Sequence, residues 1–211
     1  IRPVYVDRFG HYANEPTGAE YLGDACALPF HTRSLDYVAT SHVIEHVANP
    51  VAAFKEWCRV LKHDGVIYMV VPDRRLTFDH PRALTSVAHI MDDFARGTTQ
   101  VDGTHIDDFT FGVDWSLFSP ATPPERAHAE REALATSYRE RISQGQEINI
   151  HFHTYEPEQM VALIGEANQV LGGPTIQVLH AVERFPADNP IGFLIIARVA
   201  QLFDQGRGRR K

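Results

Sequence analysis

Apolar runs alternate with amphipathic stretches through the first third of the chain. Ile1 to Asp7, built around Pro3-Val4-Tyr5-Val6, reads as a strand closed by an acidic residue. A polar stretch over 8–20 reads as a short helix or loop, and Tyr21-Leu22-Gly23-Asp24 as a second short strand, again ending in Asp. Leu35 to Ser41 is a near-continuous apolar run, the pattern of a parallel strand buried on both faces. Asn49-Pro50 predicts a helix start, with Asn as cap and Pro at the first helical position. Phe54, Trp57, Cys58 and Leu61 follow at helical spacing, and His63-Asp64-Gly65 predicts the stop, with the glycine in a left-handed cap. Val66 to Val71 is then a fourth strand, ended by Pro72-Asp73. Strands alternating with helices predict an α/β fold with a parallel sheet.

Residues 73–150 break the rhythm. Aromatics (Phe78, Phe94, Phe109, Phe111, Trp115, Phe118) are mixed there with many Asp, His and Arg, and two helices are expected, over Leu84 to Ala95 and Pro124 to Gln144. The segment reads as a long insertion after the fourth strand that covers the site, within a single domain over 1–211. The rhythm resumes at Pro157 with an amphipathic helix carrying Met160, Val161 and Ile164. Thr175 to Leu179 and Ile191 to Val199 are the last strands, and the turn Pro186-Ala187-Asp188-Asn189-Pro190 lets them pair as an antiparallel hairpin.

The chain has 211 residues, 44% of them hydrophobic, enough for one α/β domain with a substantial core. Its net charge of −7 argues against a nucleic-acid backbone as partner, since phosphate contacts need clustered Lys and Arg. The basic cluster Arg207-Gly208-Arg209-Arg210-Lys211, in a tail over 204–211, reads as a solvated end. Cys26 and Cys58 suggest buried thiols of a reducing compartment and no disulfide framework. With no signal peptide and no apolar run approaching ~18 residues, a cytoplasmic protein with no membrane partner is expected.

The densest chemistry lies in His42-Val43-Ile44-Glu45-His46, just after the third strand and just before the capped helix. Open α/β sheets place their sites at the carboxyl ends of strands. On one helical turn positions 42, 45 and 46 share a side, bringing two imidazoles and a carboxylate together. Such a group binds a metal, moves protons, or both. His151-Phe152-His153 offers a distant further ligand, and strand-like alternation would put both of its imidazoles on one face.

Strand-Asp7, Gly23-Asp24-Ala25 with Leu28-Pro29-Phe30, Leu35-Asp36-Tyr37-Val38 and Ser41-His42-Val43-Ile44-Glu45-His46-Val47, in that order, resemble a class I S-adenosylmethionine-dependent methyltransferase. Val60-Leu61-Lys62-His63-Asp64-Gly65, the strand ending Val71-Pro72-Asp73 and the terminal hairpin extend the likeness over nearly the whole chain. The stretch 71–79 with Arg82-Ala83-Leu84-Thr85-Ser86 is similar to a bacterial subgroup associated with glycan or glycolipid biosynthesis. The resemblance implies a Rossmann-like sheet, mostly parallel, with one terminal antiparallel strand. It implies S-adenosylmethionine as cofactor, with Asp7 and the adjacent Arg8 at the ribose, Asp24 and Ala25 at the adenine, and Ser41 and His42 near the sulfonium. The family's glycine-rich loop has no counterpart before Asp7, so the segment carrying it is expected to precede Ile1 in the natural protein.

The His/Glu cluster is similar to that of metal-dependent RNA 2′-O-methyltransferases and some quinone-biosynthesis O-methyltransferases. That implies a metal set of His42, Glu45, His46 and His151, holding Mg, Mn or Zn; three imidazoles and a carboxylate suit a transition metal best. Glu45-His46 also occurs in metal-free relatives, where the pair only hydrogen-bonds the cofactor pocket. A sugar hydroxyl needs a base or a metal to become a nucleophile, and His153, then His42, is the expected base. Asp73 and Asp79 would orient acceptor hydroxyls. Trp115, with Phe111, would stack on a sugar ring or else fill the core of the insertion. The expected activity is O-methyl transfer to a sugar or glycan precursor, with a small-molecule or oligosaccharide acceptor as partner and a homodimer allowed. Two other readings stay open: an O-methyltransferase on an RNA terminus or small phenolic compound, and a non-catalytic binding subunit.

Overall fold

The computed structural model describes residues 23–200. The expected first strand with Asp7 and Arg8, the start of the second at Tyr21-Leu22 and the basic tail lie outside them. Within them a four-stranded mixed sheet is covered by helices. Its strands are β1 (Leu35–Ser41), β2 (Leu61–Pro72), β3 (Thr175–Phe185) and β4 (Gly192–Ala200), in the spatial order β1-β2-β4-β3. β1 and β2 run parallel, while β4 is antiparallel to both of its neighbours. The chain therefore ends in the expected hairpin, with β4 inserted between β2 and β3.

Several details differ from the sequence pattern. Asp24 belongs to no strand; it forms a lone antiparallel bridge with Ala27. β1 is an edge strand among the described residues, and Tyr37 is 67% exposed rather than buried. The helix after Asn49 also ends early. α1 (Pro50–Val60) starts as expected, with the Asn49 side chain accepting from the Ala52 amide at 3.0 Å. It gives way directly to extended backbone at Leu61, because Leu61 already pairs with Leu35 of β1. The pairing then slips to Tyr37 with Val66, and the extra residues 62–65 bulge from the strand. The left-handed residue of that bulge is Asp64 (φ 62°), not Gly65. Gly65 is needed for space: a Cβ there would meet the Lys62 carbonyl oxygen at 3.0 Å and the Leu61 side chain at 3.1 Å.

The main core lies between the sheet, α1 and α6 (Pro157–Ala167). It gathers Ile44, Phe54, Trp57, Cys58, Leu61, Met69, Val71, Met160, Leu163, Phe193 and Ile195. Val161 lies on the solvent side of α6, not with Met160 and Ile164. Between β2 and α6 the chain forms α2 (Val87–Arg96), α3 (Ile106–Gly112), α4 (Trp115–Phe118) and α5 (Ala127–Ser143). α2 is shorter than the expected helix: Ser86 caps it through the His89 amide, and Gly97 ends it at φ 69°. α2 joins the main core through Ile90, while α3, α4 and α5 close over a second, smaller core of Ile106, Phe109, Val113, Trp115, Ala135, Ile148, Ile150 and Phe152. No helix among the described residues is long and apolar enough to cross a membrane.

Candidate active site

β1 stops where the His/Glu cluster starts. The His42 amide still donates to the Val70 carbonyl at 3.0 Å, extending the β1–β2 ladder by one step. His42 then takes φ 53°, left-handed backbone that is uncommon outside glycine. That turn throws the chain off the sheet into a single 3₁₀ turn, Ile44–His46. Ile44 is fully buried and pins the turn to the core. Its neighbour Glu45 is carried inside with it, at 0% exposure.

Both carboxylate oxygens of Glu45 are buried without a hydrogen-bond partner. Desolvating an unpaired carboxylate costs several kcal/mol, on the order of the stability of a small domain. Three imidazoles stand around it. His42 Nδ1 is 3.5 Å from Glu45 Oε1 and His46 Nε2 is 3.8 Å from it. His151 completes a group with Glu45 and His46 whose ligand atoms lie within 4.8 Å of one another. The two rings meet edge to face, centroids 4.7 Å apart.

The outer nitrogens fix the tautomers. His46 Nδ1 lies 3.1 Å from the Ile150 carbonyl, which can only accept, so Nδ1 carries the proton and Nε2 the lone pair. His151 Nδ1 donates to Asp79 Oδ2 at 2.5 Å, which likewise frees Nε2. A carboxylate or carbonyl behind each imidazole is the usual support of histidine ligands. Asp79 is buried and takes a second bond from Arg82 Nη1 at 2.7 Å. Burial pushes the Asp79 carboxyl up, but the His151 hydrogen bond and charge, with Arg82, outweigh it and hold it below the usual range. The Glu45 carboxylate beside it raises the pKa of His42 against the opposing effect of burial. Burial, then the neighbouring His151, lowers that of His46.

His153 goes elsewhere. The segment 151–153 pairs with no strand, so the two imidazoles of His-Phe-His do not share a face as the alternation suggested. Phe152 donates its amide to the Glu45 carbonyl at 2.8 Å, and His151 turns toward His46. His153, at 0% exposure, turns toward α2, where its Nε2 is 3.1 Å from Asp93 Oδ2. Burial lowers its pKa. His89 and His105 stand at the same carboxylate, 3.2 and 3.4 Å from Oδ2. That second cluster escaped the sequence reading, because three of its four residues are scattered through the insertion. The spacing of His89 and Asp93, one helical turn apart on α2, was its only local signal.

Of the remaining expected site residues, Asp73 and Trp115 are occupied by structural contacts. Asp73 is buried and held by a two-point contact with Arg75, Nε at 2.9 Å and Nη2 at 2.6 Å. Trp115 is buried in the smaller core with the Arg131 guanidinium 5.0 Å over its ring, so its face is covered from within the chain. Phe111 is 39% exposed. Asp24 is exposed and turns one oxygen back to the Cys26 amide at 2.8 Å, with Ala25 in the intervening turn. Ser41 is exposed at the end of β1.

Residues 6–69 match the family model of a methyltransferase domain, over a stretch that ends within β2 and contains the whole turn 42–46. An 87-residue stretch is 38% identical to an uncharacterized 37.1 kDa protein of transposon Tn4556 from Streptomyces fradiae. That match covers 39% of this chain and only 25% of the relative, so the chain spans a quarter of that protein's length. Among solved structures, a SAM-dependent methyltransferase from Methanosarcina mazei is similar at 17% identity and TM-score 0.39, over 92% of this chain and 76% of that one. An S-adenosylmethionine-dependent methyltransferase from Mesorhizobium loti is similar at 12% identity and TM-score 0.43, over 83% and 67%.

Proposed function

We propose that this chain is an S-adenosylmethionine-dependent O-methyltransferase that methylates a hydroxyl of a sugar or glycan precursor, using a histidine base and a divalent metal. The observation that carries the reading is Glu45, a buried carboxylate without hydrogen-bond partners among His42, His46 and His151, inside the stretch that matches a methyltransferase domain. Two lone-pair Nε2 atoms and a charged carboxylate form a donor set with three protein ligands and room for more, the pattern of catalytic metal sites.

The cofactor supplies an electrophilic methyl group on a sulfonium sulfur, so the protein's task is alignment and deprotonation. Asp24 and Ala25, with Asp7 and Arg8 outside the described residues, would hold the nucleoside, and Ser41 the region beside the sulfonium. His42 is the base in this reading, ahead of His153, because it is 38% exposed at the mouth of the cluster. With Nδ1 turned to Glu45, Nε2 is the ring nitrogen that would take the proton of the acceptor hydroxyl, and the bound cofactor would supply the methyl group. A divalent ion on Glu45, His46 and His151 would lower the pKa of a bound hydroxyl. The insertion 73–150 would close over the acceptor, with Asp79 acting behind His151 rather than on the acceptor itself. The similarity of 71–86 to a glycan-associated subgroup favours a saccharide, and the charge of −7 disfavours RNA.

Calorimetry with S-adenosylhomocysteine on the full-length protein tests the cofactor. Transfer of labelled methyl from S-adenosylmethionine to a panel of sugar nucleotides, oligosaccharides, phenols and RNA, with and without EDTA, tests the rest. Micromolar binding and EDTA-sensitive labelling of a saccharide are expected. Absence of binding overturns the methyltransferase reading, and labelling of RNA or a phenol instead overturns the acceptor.

A further inference from the structure

We propose that His89, Asp93, His105 and His153 form a second metal site, a closed tetrahedral site for Zn²⁺ that clamps the insertion onto the segment carrying His151. The four ligand atoms converge to within 4.8 Å of one another. Measured from Asp93 Oδ2, the Nε2 atoms of His153, His89 and His105 lie at 3.1, 3.2 and 3.4 Å, and the last two are 3.0 Å apart. Around a zinc ion with bonds of about 2.0–2.2 Å, the edges of a tetrahedron are about 3.3–3.6 Å long. Those four of the six edges are already within a few tenths of an ångström of that figure, and the other two lie within 4.8 Å.

Hydrogen bonding alone leaves the cluster poorly satisfied. One carboxylate oxygen faces three imidazole nitrogens, and it has lone pairs for about two good bonds. His89 Nε2 and His105 Nε2, at 3.0 Å, cannot both carry a proton facing the other. Asp93 and His153 are 2% and 0% exposed and His105 5%, so water is shut out from three of the four. A cation at the centre takes a lone pair from each of the four atoms at once. Three nitrogens and one carboxylate oxygen in a tetrahedron suit Zn²⁺ or Co²⁺ and not Mg²⁺ or Ca²⁺.

Two of the four ligands have outer partners, Asp93 and His105, while the outer nitrogen of His153 is buried without one among the described residues. Thr98 donates to the free oxygen of Asp93, Oδ1, at 2.9 Å. Thr104 Oγ1 lies 2.9 Å from His105 Nδ1, which orients Nε2 inward. The ligands come from α2, from the turn before α3 and from 151–153, so the ion would tie three separate pieces of chain together. Four protein ligands mark a structural site, in contrast to the three around Glu45. His153 is two residues from His151, so the clamp would fix the backbone that delivers His151 to the first cluster.

The test is metal loading of the full-length protein followed by Co²⁺ substitution, comparing wild type with His89→Ala and, separately, His46→Ala. His89 is the ligand to remove because its side chain is 43% exposed, so its loss opens no cavity. In wild type we expect tightly held zinc, the intense visible absorption of tetrahedral Co²⁺, and a rise in Tm on zinc addition. His89→Ala should abolish the tetrahedral spectrum and weaken binding by more than the 10–100-fold that loss of an outer partner costs. His46→Ala should leave that spectrum intact whatever its effect on methyl transfer. A wild type without tetrahedral Co²⁺, a His89→Ala protein with unchanged spectrum and affinity, or a spectrum lost in His46→Ala but not in His89→Ala would each overturn the proposal. None of these readouts depends on methyltransferase activity.

Discussion

Asp79 Oδ2 stands 2.5 Å behind the Nδ1 of His151, so the buried carboxylate sets both the tautomer and the ring orientation of the imidazole that faces Glu45. Arg82 holds the same carboxylate from its other oxygen. The insertion thus reaches the cluster through a chain of charge, from guanidinium to carboxylate to imidazole. Asp79→Asn keeps the shape and removes the charge. It should weaken divalent-metal binding at Glu45, His46 and His151 by about 10–100-fold, read by titration with Co²⁺ or Zn²⁺. Unchanged affinity would mean that Asp79 supports only the fold.

Glu45→Gln tests the cluster more directly. The substitution is nearly isosteric and removes the negative charge. Methyl transfer should fall by about 100-fold or more, the scale of losing a base's partner or a metal ligand. Affinity for S-adenosylhomocysteine should change little, since Glu45 is fully buried behind His42. A variant with full activity would remove Glu45 from the chemistry.

Arg82 carries stability as well. Its side chain is 0% exposed and bonds Asp79 Oδ1 at 2.7 Å and Asp108 Oδ2 at 2.6 Å, with its guanidinium 5.6 Å over the Phe109 ring. Arg82→Met fills much of the volume but leaves the buried Asp79 with His151 and without its guanidinium. Breaking a buried pair costs about 3–5 kcal/mol where nothing else compensates the charge, so a smaller loss is expected here; the Asp108 contact adds little, because that carboxylate is 54% exposed. Urea denaturation should show the loss as a lower midpoint. The double variant Arg82→Met with Asp79→Asn should recover part of it.

How far the sequence reached follows from how local each signal was. β1, α1, β2 and the closing hairpin were readable because apolar runs, an Asn-Pro cap and a Pro-rich turn are encoded within a few neighbours. The approach of His42 to Glu45 was readable for the same reason, as both sit on one turn. His151 and His153 were visible as a pair but not as a divergent pair. The alternation rule assumes a strand, and 151–153 pairs with none. Of the second cluster only the spacing of His89 and Asp93 was legible; His105 was not, since its approach depends on how α2 and α3 fold back. The end of α1 misled because cross-strand pairing of Leu61 with Leu35 outweighed the local stop at Gly65.

The two cysteines should be inert in the native state. Neither forms a disulfide. Burial foremost, joined at Cys26 by the nearby Asp24 carboxylate, pushes both thiols up to about 12 from 9.0. A rise from 9.0 to about 12 leaves about a thousandfold less thiolate near neutral pH. Alkylation at about pH 8 should therefore be slower by at least about 100-fold in the native protein than in urea, with both sites released together on unfolding. Rapid labelling of Cys26 alone would show that the turn 24–27 opens without global unfolding.

Strong acid should weaken the insertion at Asp114. Its Oδ1 accepts from the Ser116 amide at 3.0 Å and from the Ser116 hydroxyl at 2.6 Å, capping α4. Its Oδ2 pairs with His80 Nε2 at 2.8 Å. The Ser116 bond first, then His80, hold the carboxyl at about 2, below the ordinary 3.8. A carboxyl depressed in the folded state is charged and bonded above the unfolded value. Its contribution is therefore complete above about pH 4 and is lost as pH falls from there through about 2. Asp114→Asn keeps much of the cap but cannot carry that charge. Wild type should be the more stable at about pH 5, with the gap closing as pH falls toward about 2, followed by urea midpoints and by fluorescence of nearby Trp115. A gap that stays constant over that range would assign the role of Asp114 to its neutral hydrogen bonds, not to its charge.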